Sequence, residues 1–292
     1  MKNHAALQKS RLMMISSMII FGTIALFVRN VPISSSEIAL YRAVMAMALL
    51  GVWFLITGQK INFNAIRKEL PLLLASGVAM GFNWILLFEA YRYTTVSVAT
   101  LSYYFAPVIV TVACPILFQE KMGVKQWLCF VMSTVGIVLI TGIGDLSGSN
   151  THFTGILFGL GAAVLYASVI LLNKFIKGIA GVQRTFLQFM AAAAILLPYV
   201  ALTGGFHLNT LSAAGWVNLL IIGIVHTGIT YCLYFSALKD IPGQEAAILS
   251  YMDPLVAVAV SVFLLGEGFT LLQVIGSVLI LGFTLYNEIT EN

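Results

Sequence analysis

The stretch AILSYMDPLVAVAVSVFLLGE, at residues 247–267, decides the fold, because an earlier stretch repeats its pattern. That earlier stretch, TLSYYFAPVIVTVACPILFQE, occupies residues 100–120. One offset of 147 residues aligns three pairs of identical residues: Pro107 with Pro254, Tyr104 with Tyr251, and Glu120 with Glu267. Because these three pairs share one offset, we interpret the two stretches as copies of an internal repeat.

Each copy carries a proline in the middle of an apolar helix. Proline has no N–H, so it frees the carbonyl four residues earlier, which belongs to Tyr103 in one copy and Ser250 in the other. In lipid, a free carbonyl persists only where protein or a water-filled cavity satisfies it. We therefore predict two kinked helices that face a polar interior, with Pro107 and Pro254 as hinges and the ionisable Asp253 beside the second kink.

Composition places the chain among membrane proteins. Of its 292 residues, 60% are hydrophobic and 9% are charged, and the mean hydropathy is +0.99, whereas about a quarter of the residues of soluble domains are charged. The cysteines Cys114, Cys129 and Cys232 lie in apolar runs, which favours packing over disulfides. No spacing of His, Cys or acidic residues supplies three or four metal ligands, so we expect no metal or cofactor. Nucleic acid is not indicated as a partner.

Apolar segments of about 20 residues can cross the hydrocarbon core as helices, and the sequence predicts ten of them. Their approximate bounds are 11–30, 35–57, 70–91, 95–118, 124–143, 154–175, 184–203, 213–237, 242–265 and 269–288. The first resembles a signal peptide, but it is long for one and opens a regular series, so we interpret it as a retained helix. The predicted fold class is an all-α integral membrane protein.

Positive charges alternate between the connections. Of the 15 Lys and Arg residues, 12 lie at the amino terminus or in every second connection: Lys2, Lys9, Arg11, Lys60, Arg67, Lys68, Lys121, Lys125, Lys174, Lys177, Arg184 and Lys239. The positive-inside rule then places both termini in the cytoplasm of a cell membrane, such as a bacterial inner membrane. An even number of helices likewise requires both termini to lie on one side of the membrane.

The repeat extends beyond the proline blocks. Residues 73–84 match residues 220–231 at the same offset, with Gly81 on Gly228. Each half, residues 1–145 and residues 150–292, then holds five helices. Because five is odd, the halves must run in opposite directions through the membrane, as inverted repeats typical of secondary transporters.

This pattern resembles the EamA family of the drug/metabolite transporter superfamily over essentially the whole chain. The resemblance is carried by ten helices in two halves, each ending in a proline block and a glutamate (YYFAPVIV with FQE, and YMDPLVAV with LLGE). It implies a metabolite transporter in which the first, third and fourth helices of each half surround a central cavity. Such proteins often export amino acids or related solutes.

We therefore expect a secondary active transporter that exports small amphipathic metabolites by alternating access. A multidrug, organic-cation or nucleobase transporter is the alternative, and a channel is a weaker one because no ring of like groups is evident. An enzyme is not expected, because no catalytic motif such as HExxH is present. The expected partners are a small solute and the lipid bilayer, with the chain as a monomer or homodimer.

Asp253 and His226 are the candidates for proton coupling. Asp253 lies near the predicted bilayer midplane, where a carboxylate costs ~2.5 kcal/mol or more. It either couples transport to protons or binds a solute cation, or else it caps amide groups loosened by Pro254. His226 shares a helix face with Thr230 and either exchanges a proton with Asp253 or packs as a hydrogen-bonded histidine.

Several polar and aromatic residues lie well inside their predicted helices, although Tyr and Trp prefer the membrane interface. They either line a solute pocket, which suits a small amphipathic molecule, or pack against one another. The predicted substrate-binding residues are Asn83, Trp84, Tyr103, Tyr104, Tyr166, His226, Thr230, Tyr251 and Asp253.

Charged residues also gather toward the outer ends of helices one to three. This group consists of Arg29, Glu37, Arg42, Glu89 and Arg92. It is either an outer gate that breaks on opening or a static ion-pair cluster, with Arg42 and Glu89 as the buried members. Glu120 and Glu267 end their helices, where capping or dipole stabilisation is the simpler role.

Overall fold

Helices make up the regular structure of the residues described by the computed structural model, which are 2–58, 63–118, 123–141, 150–176, 179, 181–237, 241 and 249–290. Within these ranges the chain forms no β-strand. A helix pairs its backbone groups within itself, which is what a segment in hydrocarbon requires. The all-α prediction is confirmed.

The first half forms seven helices in the described ranges. They are α1 (Lys2–Gly22), α2 (Ile24–Val28), α3 (Ser35–Thr57), α4 (Phe63–Tyr93), α5 (Val96–Tyr103), α6 (Ala106–Phe118) and α7 (Val124–Thr141). The predicted first helix is thus divided at Thr23, and the predicted fourth helix is divided at residues 104–105.

The second half is built from more irregular helices. They are α8 (Asn150–Phe175), α9 (Gly181–Thr203), a 3₁₀ turn (Leu208–Thr210), α10 (Ala213–Leu220), α11 (Thr230–Ala237), α12 (Met252–Ala259) and α13 (Leu271–Thr290). Two π-helical stretches continue this half, Ile221–Ile229 between α10 and α11, and Val260–Leu264 after α12. Wide π turns of this kind occur frequently at functional sites.

Seven helical segments of the described chain are long and apolar enough to cross a membrane. They are Leu7–Val28, Ser35–Thr57, Ile66–Tyr93, Val96–Ala113, Thr151–Phe175, Gly181–Thr203 and Ala213–Tyr234. Shorter apolar helices occupy Val124–Ile140, Met252–Leu264 and Leu271–Phe283. The chain is a multi-pass membrane protein. The count of ten crossings and the inverted arrangement of the halves stay predictions.

Both repeated prolines lie just after an interruption of their helices. Residues 104–105 separate α5 from α6, and a turn at Tyr251 precedes α12. Pro107 and Pro254 therefore fall in the first turn of a helix, where a missing N–H leaves no intrahelical bond unmade. Helix breaks thus occur where the proline pattern places them, while the role of the two prolines as hinges stays a prediction.

The two halves pack into one another. α4 lies against α8 and α9, α3 lies against α9 and the π-helical stretch Ile221–Ile229, and α1 lies against α11 and α12. Gly22 allows the last contact, because a Cβ atom there would lie 2.6 Å from the carbonyl oxygen of Asp253. The backbone of α1 therefore touches α12 at the residue that carries the predicted intramembrane acid.

Candidate functional site

A cavity of about 130 Å³ lies between helices of both halves. It contains six of the nine predicted substrate-binding residues: Asn83, Trp84, Tyr103, Tyr104, Tyr166 and Asp253. The lining residues that the sequence analysis did not assign to a pocket include Arg42, Phe88, Tyr91, Thr100 and Tyr231. His226, Thr230 and Tyr251 are not among the lining residues.

Asp253 reaches the cavity from the first turn of α12. The Tyr104 hydroxyl donates a hydrogen bond of 2.6 Å to its Oδ2 atom, which joins the two halves across the cavity. No other described residue donates to this carboxylate, and Tyr251, the N-cap of α12, makes no side-chain cap bond. A negative charge near a helix N-terminus is favoured by the helix dipole. The carboxylate therefore faces the cavity and is not occupied in capping backbone amides of the described chain.

Arg42 lies in α3 and is buried, with 4% of its surface exposed. Its Nε donates to Thr227 Oγ1 at 3.1 Å, and its guanidinium carbon lies 4.2 Å from the ring centroid of Trp84. Phe88 contributes a second ring, 5.4 Å away. A guanidinium over an aromatic face is held by cation–π attraction. No acidic side chain of the described residues pairs with Arg42.

Three tyrosine residues of the cavity lining contact one another. Tyr103 stacks on Tyr166 with 5.1 Å between ring centroids, and it meets Tyr104 edge-on at 5.8 Å. Asn83 is buried, and its Nδ2 donates to the Ala162 carbonyl at 2.6 Å. Asn83 therefore ties α4 to α8, while the tyrosine rings join α5 to α8.

His226 lies in the π-helical stretch Ile221–Ile229 and is buried. Its Nε2 is 3.0 Å from the Thr23 hydroxyl, at the joint between α1 and α2, and its Nδ1 is 3.2 Å from the Ile221 carbonyl. Thr227 and Thr230 each donate to the carbonyl five residues earlier, at 2.8 and 2.7 Å. These bonds give hydrogen-bond donors to carbonyl groups of the π-helical stretch, and they position Thr227 next to Arg42. Proton exchange between His226 and Asp253 stays a prediction.

The charges predicted as one outer cluster separate into distinct contacts. Arg29, the C-cap of α2, forms an ion pair with Glu267. Arg29 Nε also donates to the Tyr91 carbonyl at 3.0 Å, and Nη2 donates to the Thr94 carbonyl at 2.7 Å. Glu267 in turn accepts from the Val96 N–H at 2.8 Å. We call this set of five residues the Arg29–Glu267 clasp.

Glu267 caps a helix, as predicted, but that helix is α5 of the other half and not its own. Its carboxylate accepts from the first N–H of α5, in the other half, and from the Ser261 hydroxyl. The N–H groups at the start of a helix lack intrahelical partners, so Glu267 caps α5 and pairs with Arg29. Glu120, its repeat partner, lies outside the described residues.

The other members of the predicted cluster make local contacts. Glu37 completes a capping box with Ser34 at the start of α3 and accepts from the backbone N–H and Nδ1 of His207, at 2.6 and 3.0 Å. Glu89 lies 3.8 Å from Arg92 on the same helix, and Arg92 donates to the Ile33 carbonyl. Glu89 is not fully buried, because a quarter of its side chain is exposed (25%). Arg42 does not join this cluster, because it turns toward Trp84.

Acidic, cysteine and histidine side chains in the described ranges do not gather into any group of three that would hold a metal ion. The chemistry available to the site is therefore that of one guanidinium, one carboxylate and several hydroxyl groups on aromatic rings. Such a lining suits the binding and orientation of a small polar molecule.

Comparison with known proteins shows the family of the chain. The EamA-like transporter family model matches residues 8–142 and again residues 153–287. The chain is 32% identical to the uncharacterized transporter YxxF of Bacillus subtilis (strain 168), over 91% of this chain and 85% of that protein. It is 25% identical to the probable amino-acid metabolite efflux pump of Salmonella typhimurium (strain LT2), over 80% of this chain and 83% of that protein.

A solved crystal structure among those that match has the same fold. It superposes with a TM-score of 0.64 at 17% sequence identity, and the match covers 94% of this chain and 95% of that chain.

Proposed function

Since the chain belongs to the EamA-like transporter family, we propose that this membrane transporter is a secondary active exporter of small amphipathic metabolites, such as amino acids, that works by alternating access. The observation that supports the proposal most is the cavity between the halves, which places Arg42 and Asp253 in one aromatic lining. A cavity with few polar groups among apolar walls is typical of a small-molecule site. The solute binds there.

The Arg29–Glu267 clasp supplies the gate. It joins the end of α2 and the α4–α5 turn to residues that follow α12, and Tyr91 belongs both to the clasp and to the cavity lining. In the predicted topology this end faces outward, so the conformation described is closed outside. The interruptions before Pro107 and Pro254 serve as hinges, and the halves, residues 1–145 and 150–292, rock as inverted repeats.

Asp253 couples this movement to protons. Its hydrogen-bond donor, Tyr104, comes from the other half and lies beside one helix interruption, while Asp253 lies beside the other. Protonation of the carboxylate removes its charge and changes which bonds it accepts, so the stability of the contact between the halves depends on the proton. An acid inside a membrane protein commonly belongs to such a pathway.

A second candidate function is the transport of organic cations. The aromatic rings around Asp253 favour it, because a cation gains from both the carboxylate and the ring faces. Arg42, in the same lining, opposes it through like-charge repulsion.

Reconstitution tests the transport function. Purified protein in liposomes is loaded with a candidate amino acid or amine, and exchange of the radiolabelled solute is measured with and without a proton gradient. We expect saturable exchange of at least one solute, accelerated by the gradient. Single-channel currents at fixed potential, with no saturation of flux, would instead establish a channel.

Cysteine labelling tests the predicted topology. In a variant without native cysteines, single cysteines replace Thr210 or Lys174, which are both exposed. A membrane-impermeant maleimide added to intact cells is expected to label position 210 and not position 174, because the positive-inside rule places Lys174 in the cytoplasm. The reverse pattern of labelling would contradict the orientation.

A further inference from the structure

Arg42 has binding capacity that the described residues do not use. Its Nε bonds to Thr227, but neither terminal nitrogen of its guanidinium donates to a described residue. A guanidinium carries five N–H donors, and buried polar groups are nearly always hydrogen-bonded. An arginine that is 96% buried, lines a cavity and leaves two nitrogens unbonded is therefore arranged to bind something in that cavity.

The residues around Arg42 also fix the orientation of its guanidinium plane. Trp84 and Phe88 lie near the guanidinium at 4.2 and 5.4 Å, and Thr227 holds one edge at 3.1 Å. A guanidinium held at one edge and one face presents its remaining N–H groups in a fixed fork. That fork matches the two oxygens of a carboxylate or of a phosphate.

The presence of Asp253 favours a carboxylate over a phosphate as the anion that Arg42 binds. Asp253 lines the same cavity, its one hydrogen bond from the described residues comes from Tyr104, and it makes no ion pair there. A phosphate dianion would be repelled by this carboxylate, whereas a protonated amine on the solute would be attracted to it. Together the two groups complement a molecule that carries one carboxylate and one ammonium group.

We propose that Arg42 is the specificity-determining residue of the cavity and binds the carboxylate of a zwitterionic solute, whose ammonium group faces Asp253. This inference rests on the proposed transport function and names the charge of its solute. It separates amino acids from organic cations and nucleobases, neither of which offers a carboxylate to Arg42. It also corrects the assignment of Arg42 to an ion-pair cluster, since its partner is the solute.

The test uses the full-length wild-type protein in detergent or nanodiscs. The twenty standard L-amino acids are screened for thermal stabilisation, and each one that binds is compared with its carboxamide and with its des-amino acid by calorimetry. We expect the carboxamide to bind roughly ten- to a hundredfold more weakly, because it loses a charge-assisted bidentate contact. We expect the des-amino acid to be weakened in the same direction.

Variants assign the effect to Arg42. In Arg42→Gln the amino acid and its carboxamide are expected to bind equally, and Arg42→Lys is expected to keep part of the preference because it keeps the charge. Arg92→Gln is the control, since Arg92 lies in the same half but outside this cavity and should leave the ratio unchanged. If Arg42→Gln does not fold, the lysine variant and the wild-type series decide.

The proposal is overturned if carboxamides bind wild-type protein as tightly as the acids, or if no carboxylate in the screen binds. Liposome exchange is measured in parallel with amines and nucleobases. Exchange of one of these, without any carboxylate binding, would leave the transport function standing and refute the role of Arg42. Preference for the acid that persists in Arg42→Gln would assign carboxylate binding to another residue and would also refute it.

Discussion

Two arginine–acid pairs in this protein use the same groups in opposite ways. Arg29 and Glu267 form an ion pair, and backbone groups of Tyr91, Thr94 and Val96 each bond to one of the two. Arg42 and Asp253 also come from the first and second halves, but they line one cavity with no ion pair to each other or to other described residues. The charged groups of the first pair bind each other, whereas those of the second pair face a cavity.

The energetic reason for this difference is burial. A charge that leaves water loses several kcal/mol of solvation, which a well-placed partner offsets. The clasp meets this requirement within the protein and therefore stabilises one conformation. The cavity meets it only in part, through Thr227, Trp84 and Tyr104. We propose that a solute with a carboxylate for Arg42 and an ammonium group for Asp253 supplies the rest.

Asp253→Asn should have the largest effect on transport, at least about tenfold, because it removes the negative charge while keeping an acceptor oxygen, and hydrogen bonds to a charged group are worth ~1.5–3 kcal/mol. Asparagine has nearly the same size but cannot titrate, so the pH dependence of exchange should disappear with the rate. Liposome exchange at several pH values measures both. Tyr104→Phe is the matched control, because it removes the hydrogen bond and keeps the carboxylate.

A variant that is monodisperse and transports with unchanged rate and pH profile would show that Asp253 is no coupling residue. A variant that loses rate but keeps the pH profile would place the coupling elsewhere. Tyr104→Phe is expected to retain a pH dependence, which Asp253→Asn cannot.

Pro254→Ala should have the next largest effect. Alanine has an N–H and no ring, so it allows α12 to continue backward through the turn at Tyr251 with one added hydrogen bond, which favours one packing of the helix. One restored hydrogen bond of ~0.5–1.5 kcal/mol corresponds to roughly a two- to tenfold slower turnover, with solute affinity little changed. Calorimetry and liposome exchange measure the two quantities.

Pro198→Ala is the control for this effect, since α9 continues through Pro198 without interruption. Equal losses of affinity and turnover in Pro254→Ala would favour a role in shaping the cavity over a role in gating.

The sequence predicts these two proline breaks well and the charge partners poorly, for one physical reason. A missing N–H acts on its own helix, so its effect can be inferred from the order of residues. The partner of Arg42 or Glu267 depends on which helix lies opposite, and neither spacing nor hydropathy determines that. Five of the six aromatic or amide residues predicted for the pocket do line the cavity. Their prediction rested on their position along their own helices, which can also be inferred from the order of residues. Tyr251 does not line the cavity, although Tyr104, which also lies in a helix interruption, does.

Glu267→Gln should have a moderate effect. It weakens the ion pair with Arg29 while keeping an oxygen for the Val96 N–H, and partly exposed pairs contribute about 0.2–1 kcal/mol. The clasped end should therefore open up to roughly fivefold more often. A cysteine in place of Val169, which lines the cavity, should react correspondingly faster with an impermeant reagent added from that side.

Glu89→Gln is the matched control, because Glu89 pairs with Arg92 on its own helix and joins no two elements. If both variants change the labelling rate equally, the effect is one of surface charge and the clasp is not a gate.

His207→Ala should have the smallest effect on exchange. Glu37 is fully buried, but it keeps the backbone N–H of residue 207 and both contacts from Ser34 when the imidazole is removed. Because half of the His207 side chain is exposed (50%), the lost contact is worth at most ~1 kcal/mol, and exchange should change less than about twofold. Thermal unfolding and liposome exchange measure these effects. A loss as large as that of Glu267→Gln would mean that the Glu37–His207 contact also holds the transporter closed. The gate would then include a carboxylate–histidine contact as well as the Arg29–Glu267 clasp.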